Sequence, residues 1–562
     1  MKKEGGNVKL SGADIIVKTL IDQDCDVVFG YPGGQILDVY DSLYKYQDEI
    51  AHILTAHEQG AAHAADGYAR TTGKVGVVIS TSGPGATNLV TGIATAHLDS
   101  VPMVAICGNV ATTQIGTDSF QEIDITGITL PITKHNYFVE NVEDLQDTIR
   151  EAFCLAVSGR PGPVLIDVPK DVQAAMCEYI KQPPAEMQEK FCAKEIRIKD
   201  AAKCINEAKR PYIYFGGGLA ISGAQEQMTE LSKKIDAPMG CSLMGLSAIP
   251  SDYPLFLGMQ GMHGQYASSM AMNSADCIIA LGVRFNDRVT GDKKKFIKDA
   301  KIIHIDVDGS ELSKTVGANH ALRGDLKLTL EKLLTYIEDN KKDEWIKTVE
   351  KLKEEEKKLL DKREGLTPRN AILTLNKYLT PNTAVVTDVG QHQMWSAQNL
   401  SFKKEKRFVT SGGLGTMGYG VGASIGATFG TKEKSVLVTG DGGFGMSLNE
   451  LATAVSYDVP LVILIMNNGV LGMVRQWQTL FFDKHYSNTV LNRKTDFIAL
   501  AKAFGADGER VDTLDALDAA FKKAFEISGV YIIDCAIDKD EFVFPMLPPG
   551  SSTDKMIVGR RK

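Results

Sequence analysis

Asp441 and Asn468 each follow an apolar, β-branched run: Ser435-Val436-Leu437-Val438-Thr439 precedes Gly440-Asp441-Gly442-Gly443, and Pro460 to Met466 precedes Asn467-Asn468-Gly469. A helical pattern running to about Ser456 separates them. In a parallel β-α-β crossover both strands point the same way, so the two residues meet at neighbouring carboxyl ends and can share one ligand. A carboxylate and an amide oxygen are hard donors suited to Mg²⁺, which takes few protein ligands and completes its octahedron with water and phosphate oxygens. Gly440, Gly442 and Gly443 let a diphosphate approach the backbone, and the following helix points free N–H groups at the same place. A bare Gly-Asp-Gly is ordinary turn chemistry; the Asn-Asn pair spaced after a second strand is what favours a ligand.

The elements that must position these residues alternate along the chain. A helix over 11–22, a strand at 27–29, a helix over 36–46, a strand over 51–56, a helix over 59–71 and a strand over 75–80 lead to the turn Ser82-Gly83-Pro84-Gly85. Such alternation predicts parallel sheets covered on both faces, an α/β class with three doubly wound domains. The strand 75–80, its glycine turn and the run 101–109 echo the strand 435–439, its turn and the run 459–467, which suggests that the first and last domains are related. The first domain spans 1–177, the second 190–345 and the third 367–550, with a polar, Pro-containing linker at 178–196. Eleven of the fourteen residues from Lys351 to Glu364 are charged, with a thin leucine stripe, which predicts a solvated helix bridging domains.

Composition bounds the alternatives. The 562 residues are too many for one core. A net charge of -8 gives no reason to expect nucleic acid. Nine cysteines without a Cys-x-x-Cys pair indicate neither a disulfide framework nor a zinc site and fit a reducing cytoplasm. No apolar run is long enough for a membrane span, and no signal or transit segment is recognisable at the start.

The two ends of the Ser435–Gly469 unit together resemble the signature of thiamine-diphosphate enzymes. That chemistry needs one further carboxyl group in a dry site, to hydrogen-bond the cofactor's pyrimidine ring. Glu58, in Ala56-His57-Glu58-Gln59-Gly60, is the candidate; a first-turn acid complementing a helix dipole is the alternative. The match then extends through Tyr31-Pro32-Gly33-Gly34, Ser82-Gly83-Pro84-Gly85-Ala86-Thr87-Asn88, Gly116-Thr117-Asp118-Ser119-Phe120-Gln121-Glu122, Gly390-Gln391-His392-Gln393-Met394-Trp395 and Met473-Val474-Arg475-Gln476-Trp477. These motifs resemble the acetohydroxyacid synthase (acetolactate synthase) catalytic subunits from about residue 10 to 550.

The resemblance implies roles residue by residue. Glu58 would activate the pyrimidine and Gly34 would lie at the reaction centre, with Gln121 and Lys134 lining the approach. Met417, beside Gly415, would support the bent cofactor. Gln391 and His392 would help hold the diphosphate, and Asp441, Asn468 and the Val470 carbonyl would bind Mg²⁺. Trp477 and Met473 would shape the pocket for the second keto acid, core packing being the alternative for both. Arg288 is expected to face the active site and grip a substrate carboxylate. In the middle domain Gly216, Gly217, Gly218, Leu243, Met244, His263, Gly282, Arg284, Asp306 and Asp325, joined by Arg160 from the first domain, resemble FAD-binding stretches, although glycine turns in an α/β domain need no ligand. Gly413-x-Gly415-x-x-Gly418 matches the dinucleotide fingerprint, but it follows no clear strand and lacks the partner acid, which argues against a nicotinamide site.

The sequence departs from the family at Val421-Gly422-Ala423, where Leu-Pro is common, and at Gly443 and Leu448-Asn449-Glu450. The implied activity is condensation of two pyruvates, or of pyruvate with 2-ketobutyrate, with loss of CO₂, in branched-chain amino-acid biosynthesis. The implied partners are a second copy of the chain, in a homodimer or tetramer, and a regulatory small subunit. The implied site pairs Glu58 of one chain with Asp441 and Asn468 of the other. Rival readings are a flavin-dependent pyruvate oxidase, a flavin-free catabolic acetolactate synthase, and a silent binding subunit that keeps the fold.

Overall fold

β-Branched runs punctuated by glycine turns form three six-stranded sheets, each wholly parallel, in a computed structural model that describes residues 8–186, 189–292, 296–297, 299–360 and 362–559. Residues of the expected first domain before Val8, Met187 and Gln188 of the expected linker, and Asp361 of the charged run lie outside the described residues.

The N-terminal sheet orders its strands Ala51–Leu54, Val27–Tyr31, Gly76–Ser80, Met103–Asn109, Pro163–Pro169, His135–Phe138. The C-terminal sheet runs Phe408–Thr410, Val385–Thr387, Ser435–Gly440, Leu461–Asn467, Val530–Ala536, Asp507–Val511. Numbered by chain position, both follow the order 2-1-3-4-6-5. The echoing segments occupy the third and fourth places in each, so the internal similarity read in the sequence is one of topology as well. The middle sheet differs: Phe256–Met259, Met239–Cys241, Pro211–Phe215, Cys277–Leu281, Lys301–Asp306, His320–Arg323, or 3-2-1-4-5-6. In that order the crevice where strands diverge lies outside the carboxyl ends of Pro211–Phe215 and Cys277–Leu281, the usual place for a dinucleotide.

The outer domains join through two helices, Glu58–Thr72 and Gly420–Thr431, whose backbones touch. A Cβ on Gly426 would stand 1.7 Å from the Ala64 carbonyl oxygen, and one on Gly67 would stand 2.1 Å from that of Ala423. Only glycine permits this approach. Ala61, Ala62, Ala64 and Ala65 share one core with Val421, Ala423, Ile425 and Ala427, so a single apolar layer spans both domains.

Three local expectations are corrected. The start of the expected linker is a strand, Met176–Tyr179, paired antiparallel with Val8–Ser11. The helical pattern after Asp441 is broken: helix Asp441–Ser447 tightens into a 3-10 turn at Leu448–Glu450 before Leu451–Ser456 continues. The charged helix starts earlier, at Asp343, ends at Leu359, and buries Trp345 and Val349. Its Glu356 accepts the Ala267 N–H at 2.7 Å, which ties it to the middle domain.

Candidate active site

Strands Ser435–Gly440 and Leu461–Asn467 are adjacent, with Gly440 opposite Met466, so Asp441 and Asn468 emerge side by side at one carboxyl edge. The Asp441 carboxyl is 7% exposed, and burial pushes its pKa up to about 6 against the backbone N–H groups of Asp441, Asn468 and Gly442 that favour its charge. Of the two asparagines, Asn467 is committed elsewhere: its amide donates to Asp534 Oδ1 at 2.8 Å. Asn468 Oδ1 accepts the Val470 N–H at 3.1 Å, and its Nδ2 faces Gln391 Oε1 at 3.4 Å. Gln391 is engaged at its other end too, donating to Gln476 Oε1 at 3.0 Å and to the Glu541 carbonyl at 2.8 Å. It braces the Asn468 loop against the C-terminal segment.

His392 packs against Gly440, where a Cβ would stand 3.1 Å from its Nδ1. Burial lowers its pKa to about 4, so the ring is neutral at physiological pH, and its buried Nε2 has no protein partner. Ser447 Oγ is likewise buried without one. An unsatisfied buried His392 nitrogen beside the turn that carries the desolvated Asp441 carboxyl suits a site for a bound cation and an oxyanion. Among the described residues no three His, Cys, Asp or Glu side chains converge on a metal position. A cation here must therefore draw on amide, backbone and ligand oxygens, as Mg²⁺ does.

Met417 lies beside the same turn: a Cβ on Gly442 would stand 3.8 Å from its Cε. Gly415, at φ +72°, is exposed with open space around it. What sets this geometry is a residue that sequence reasoning missed. Asp388, 1% exposed, accepts the N–H groups of Val389 (2.8 Å), Gly418 (3.1 Å) and Gly420 (2.9 Å). It also explains Gly443, whose Cβ would fall 2.5 Å from Asp388 Oδ1. One signal was available, an acid directly after the strand Val385–Thr387 in a glycine-containing turn.

A second cluster gathers at the carboxyl edge of the N-terminal sheet. Glu58 opens its helix behind His57, whose ring accepts the Gln59 N–H at 3.0 Å. Its Oε2 accepts Asn88 Nδ2 at 2.9 Å, and Gly85 leaves room beside Oε1. Gly33 packs on Thr81, whose hydroxyl takes the Gln35 N–H at 3.2 Å, and Gln121, at φ +62°, backs Gly83. Gly34 is exposed, with nothing within 4 Å of where a Cβ would be. Glu58, Gly34 and Gln121 thus share one edge. Lys134 does not join them: its stem is exposed, but its amine turns onto the helix-end carbonyls of Leu155 and Ser158, and burial with nearby Arg160 lowers its pKa to about 8. Glu450, also missed, crosses from the C-terminal domain to accept the Ala56 N–H at 3.1 Å, next to Glu58 in the chain.

Helix Gly472–Phe481 carries Met473, packed against the core, and Trp477, half-buried and edge-on to Phe481 at 5.6 Å. Arg288 of the middle domain places its guanidinium 5.9 Å from the Trp477 ring centroid and is itself 60% exposed. These two residues, far apart in sequence, are brought together.

In the middle domain Gly216 and Gly218 pack on the backbone of Gly282, and Gly217 faces Met244 beside Leu243. Close packing accounts for Gly216 and Gly218 without a ligand. The rest of the crevice is polar: burial raises Asp306 to about 6, and His263, lowered by burial to about 4, keeps a buried Nδ1 without a partner. Arg284 donates to the Leu98 carbonyl at 2.7 Å, and Arg160 reaches Glu311 at 3.0 Å and Asp308 at 3.5 Å. Asp325 caps helix Leu326–Leu334 through the Leu328 N–H. It stands beyond the edge strand His320–Arg323, whereas the crevice opens between Pro211–Phe215 and Cys277–Leu281.

Comparison with known proteins agrees with this layout. Residues 10–128 match the thiamine pyrophosphate enzyme N-terminal TPP binding domain, 198–333 the central domain and 388–535 the C-terminal TPP binding domain. The chain is 44% identical over 565 residues to a probable acetolactate synthase large subunit of Methanocaldococcus jannaschii, covering 98% of this chain and 95% of that one. It is 44% identical over 560 residues to the acetolactate synthase large subunit of Corynebacterium glutamicum (97% and 89% covered), and 42% over 555 residues to the isozyme 2 large subunit of Escherichia coli (98% and 99%). The family models thus match all three domains and these relatives are covered along almost their whole length, and the chain belongs to the acetolactate synthase large-subunit family of thiamine pyrophosphate enzymes.

Proposed function

We propose that the chain condenses two pyruvates to 2-acetolactate, or pyruvate with 2-ketobutyrate to 2-aceto-2-hydroxybutyrate, releasing CO₂ in branched-chain amino-acid biosynthesis. The observation that carries this reading is identity of 40% or more, over nearly the full chain, to several acetolactate synthase large subunits. Glu58, Asp441 and Asn468 are all present, at carboxyl edges of the outer sheets, which supports an enzyme over a silent binding subunit. The cofactors are thiamine diphosphate, Mg²⁺ and FAD.

Thiamine diphosphate, when bound, supplies a carbon nucleophile that can break and form bonds next to a carbonyl. Asp441, Asn468 and the Val470 carbonyl would hold Mg²⁺, and His392, with its unsatisfied nitrogen, would help hold the diphosphate. Gln391 acts by bracing Asn468. Glu58 would offer its Oε1 to the pyrimidine ring as a hydrogen-bond partner, while Asn88 keeps the other oxygen in place. Met417 supports the cofactor from beside Gly442. Gly34, without a side chain, leaves the reaction centre open, with Gln121 behind it. Trp477 and Met473 present apolar surface to the second keto acid, and Arg288, held over Trp477, receives its carboxylate. Lys134 lines the approach only from its helix-end position. The apolar walls disfavour the charged substrate carboxylate relative to CO₂.

FAD is supported by the 3-2-1-4-5-6 strand order and by the buried polar groups of the middle crevice, where Arg284, Met244, Leu243, His263 and Asp306 would hold it. Each active site is shared by two chains of a homodimer or tetramer. Tyr31, Leu37, Phe120, Leu414 and Met446 are exposed apolar residues flanking the two clusters, Phe120 at 84%, and a partner chain would cover them. Relatives named as large subunits support a regulatory small subunit. Nine unpaired cysteines support a cytoplasmic setting. No helix among the described residues is long and apolar enough to cross a membrane.

The deciding experiment is an assay of purified protein with pyruvate, thiamine diphosphate and Mg²⁺, with and without FAD. Acetolactate formed in the presence of FAD supports the reading. Hydrogen peroxide in its place indicates an oxidase, full activity without flavin a catabolic synthase, and no turnover a silent subunit.

A further inference from the structure

The segment from Ser411 to Gly418 has no regular secondary structure, exposes Leu414 and Gly415, and carries Met417 to the turn at Gly442. It is nevertheless pinned along its length by the N-terminal domain. Asp99, the last residue of helix Val90–Asp99, accepts the Gly413 N–H on Oδ1 at 2.7 Å and the Gly412 N–H on Oδ2 at 3.0 Å. From the same helix, the Thr95 hydroxyl meets that of Thr416 at 2.8 Å. The approach is close enough to require glycine: a Cβ on Gly413 would stand 2.8 Å from Asp99 Oδ1 and 2.9 Å from Leu98 Cβ.

Asp99 is 9% exposed, and its charge is balanced by Arg70, whose Nη2 lies 2.9 Å from Oδ2. Arg70 pairs in turn with Asp66 at 2.5 Å, and Asp66 accepts the Tyr419 hydroxyl at 2.5 Å. Burial opposes the Arg70 charge, but Asp66, Tyr419 and Asp99 outweigh it and hold its pKa well above the ordinary value. The Asp99 carboxyl group thus lies against its Arg70 partner and gives one oxygen to each loop N–H, an ion-paired arrangement stronger than neutral hydrogen bonding. The middle domain reaches the same helix end. Arg284 donates to the Leu98 carbonyl and Met244 abuts Gly412, while Arg160 of the N-terminal domain donates from Nε to Ser100 Oγ at 2.8 Å.

We propose that Asp99 is a positioning residue of the active site, fixing the 411–417 segment and with it Met417, at a helix end where all three domains meet. This rests on the reading of Met417 as a cofactor support. An amide at position 99 presents an NH₂ group to one of the two N–H donors and leaves Arg70 without one of its partner charges.

Full-length protein without cofactor decides the first half. Hydrogen exchange in the 411–416 segment should quicken at least about tenfold in Asp99→Asn, the scale of one charge-assisted hydrogen bond, while amides of the Asp388-held Gly418–Gly420 turn stay as they are. Calorimetric titration with thiamine diphosphate and saturating Mg²⁺ decides the second. Asp99→Asn and Met417→Ala should each weaken binding, and the double variant should bind no worse than the weaker single one, because both act through Met417. Thr95→Val, which leaves the charges intact, should shift exchange and affinity in the same direction by less, and it decides the matter if Asp99→Asn does not fold. Unchanged exchange, unchanged affinity, or single effects that multiply in the double variant overturn the proposal. A parent protein that does not bind thiamine diphosphate overturns the functional reading instead, and exchange alone then decides whether Asp99 clamps the segment.

Discussion

Replacing Glu58 by Gln keeps size and the contact with Asn88 but removes the carboxyl group that the proposed mechanism assigns to the pyrimidine ring. We expect a folded protein whose turnover falls by at least ~10²-fold, the usual scale for lost acid–base assistance; near-normal rates at saturating cofactor would take Glu58 out of the mechanism. Asp441 makes a pH prediction. Burial raises its folded-state pKa to about 6, above the ordinary carboxyl value. Its contribution to stability is therefore fully present below about pH 4 and lost as pH rises through about 6, an effect on the order of 3 kcal/mol. Cation binding needs the charged form, so Mg²⁺ must displace a proton in acid and not in base. Titrations in buffers of different ionisation enthalpy should show close to one proton released at about pH 5 and almost none at about pH 8. Identical apparent enthalpies at the lower pH would remove Asp441 from the ligand set.

At the scale of elements, the contact between helices Glu58–Thr72 and Gly420–Thr431 brings both clusters into one body. Gly426→Ala would drive a methyl group into the Ala64 carbonyl, 1.7 Å away, and overpacking of this kind costs roughly 1–3 kcal/mol. The urea midpoint of the cofactor-free protein should fall accordingly. Gly529→Ala, at a position with nothing within 4 Å, should leave it unchanged and serves as the control. Equal midpoints for the two variants would mean that the helices separate at little cost.

For the whole molecule, the proposed sharing of each site between two chains makes the strongest prediction. Glu58→Gln and Asp441→Ala chains are each expected to be inactive alone. In a mixed dimer one site combines both defects and the other combines the intact Glu58 of one chain with the intact Asp441 of its partner. Mixing should therefore restore activity towards one working site per mixed dimer. Mass spectrometry establishes chain exchange independently, and exchanged mixtures that stay inactive would show that the two clusters do not work across chains.

The sequence by itself determined the three-domain α/β class, the likeness between the outer domains, and the placing of Asp441 beside Asn468. These follow from local periodicity and from the fixed hand of β-α-β crossovers, which every chain obeys. Tertiary structure alone decided which asparagine is committed to Asp534, that Arg288 meets Trp477, and that Asp388, Glu450 and Asp99 serve backbone N–H groups. It also decided that Val8–Ser11 pairs with Met176–Tyr179 and that the helix after Asp441 tightens at Leu448–Glu450. The physical reason is that packing, not local pattern, chooses a distant partner. A buried carboxylate's partner is whatever N–H the fold brings within about 3 Å, and when that N–H lies 32 residues away, as Gly420 does from Asp388, or 314, as Gly413 does from Asp99, nothing in the local pattern marks the pair.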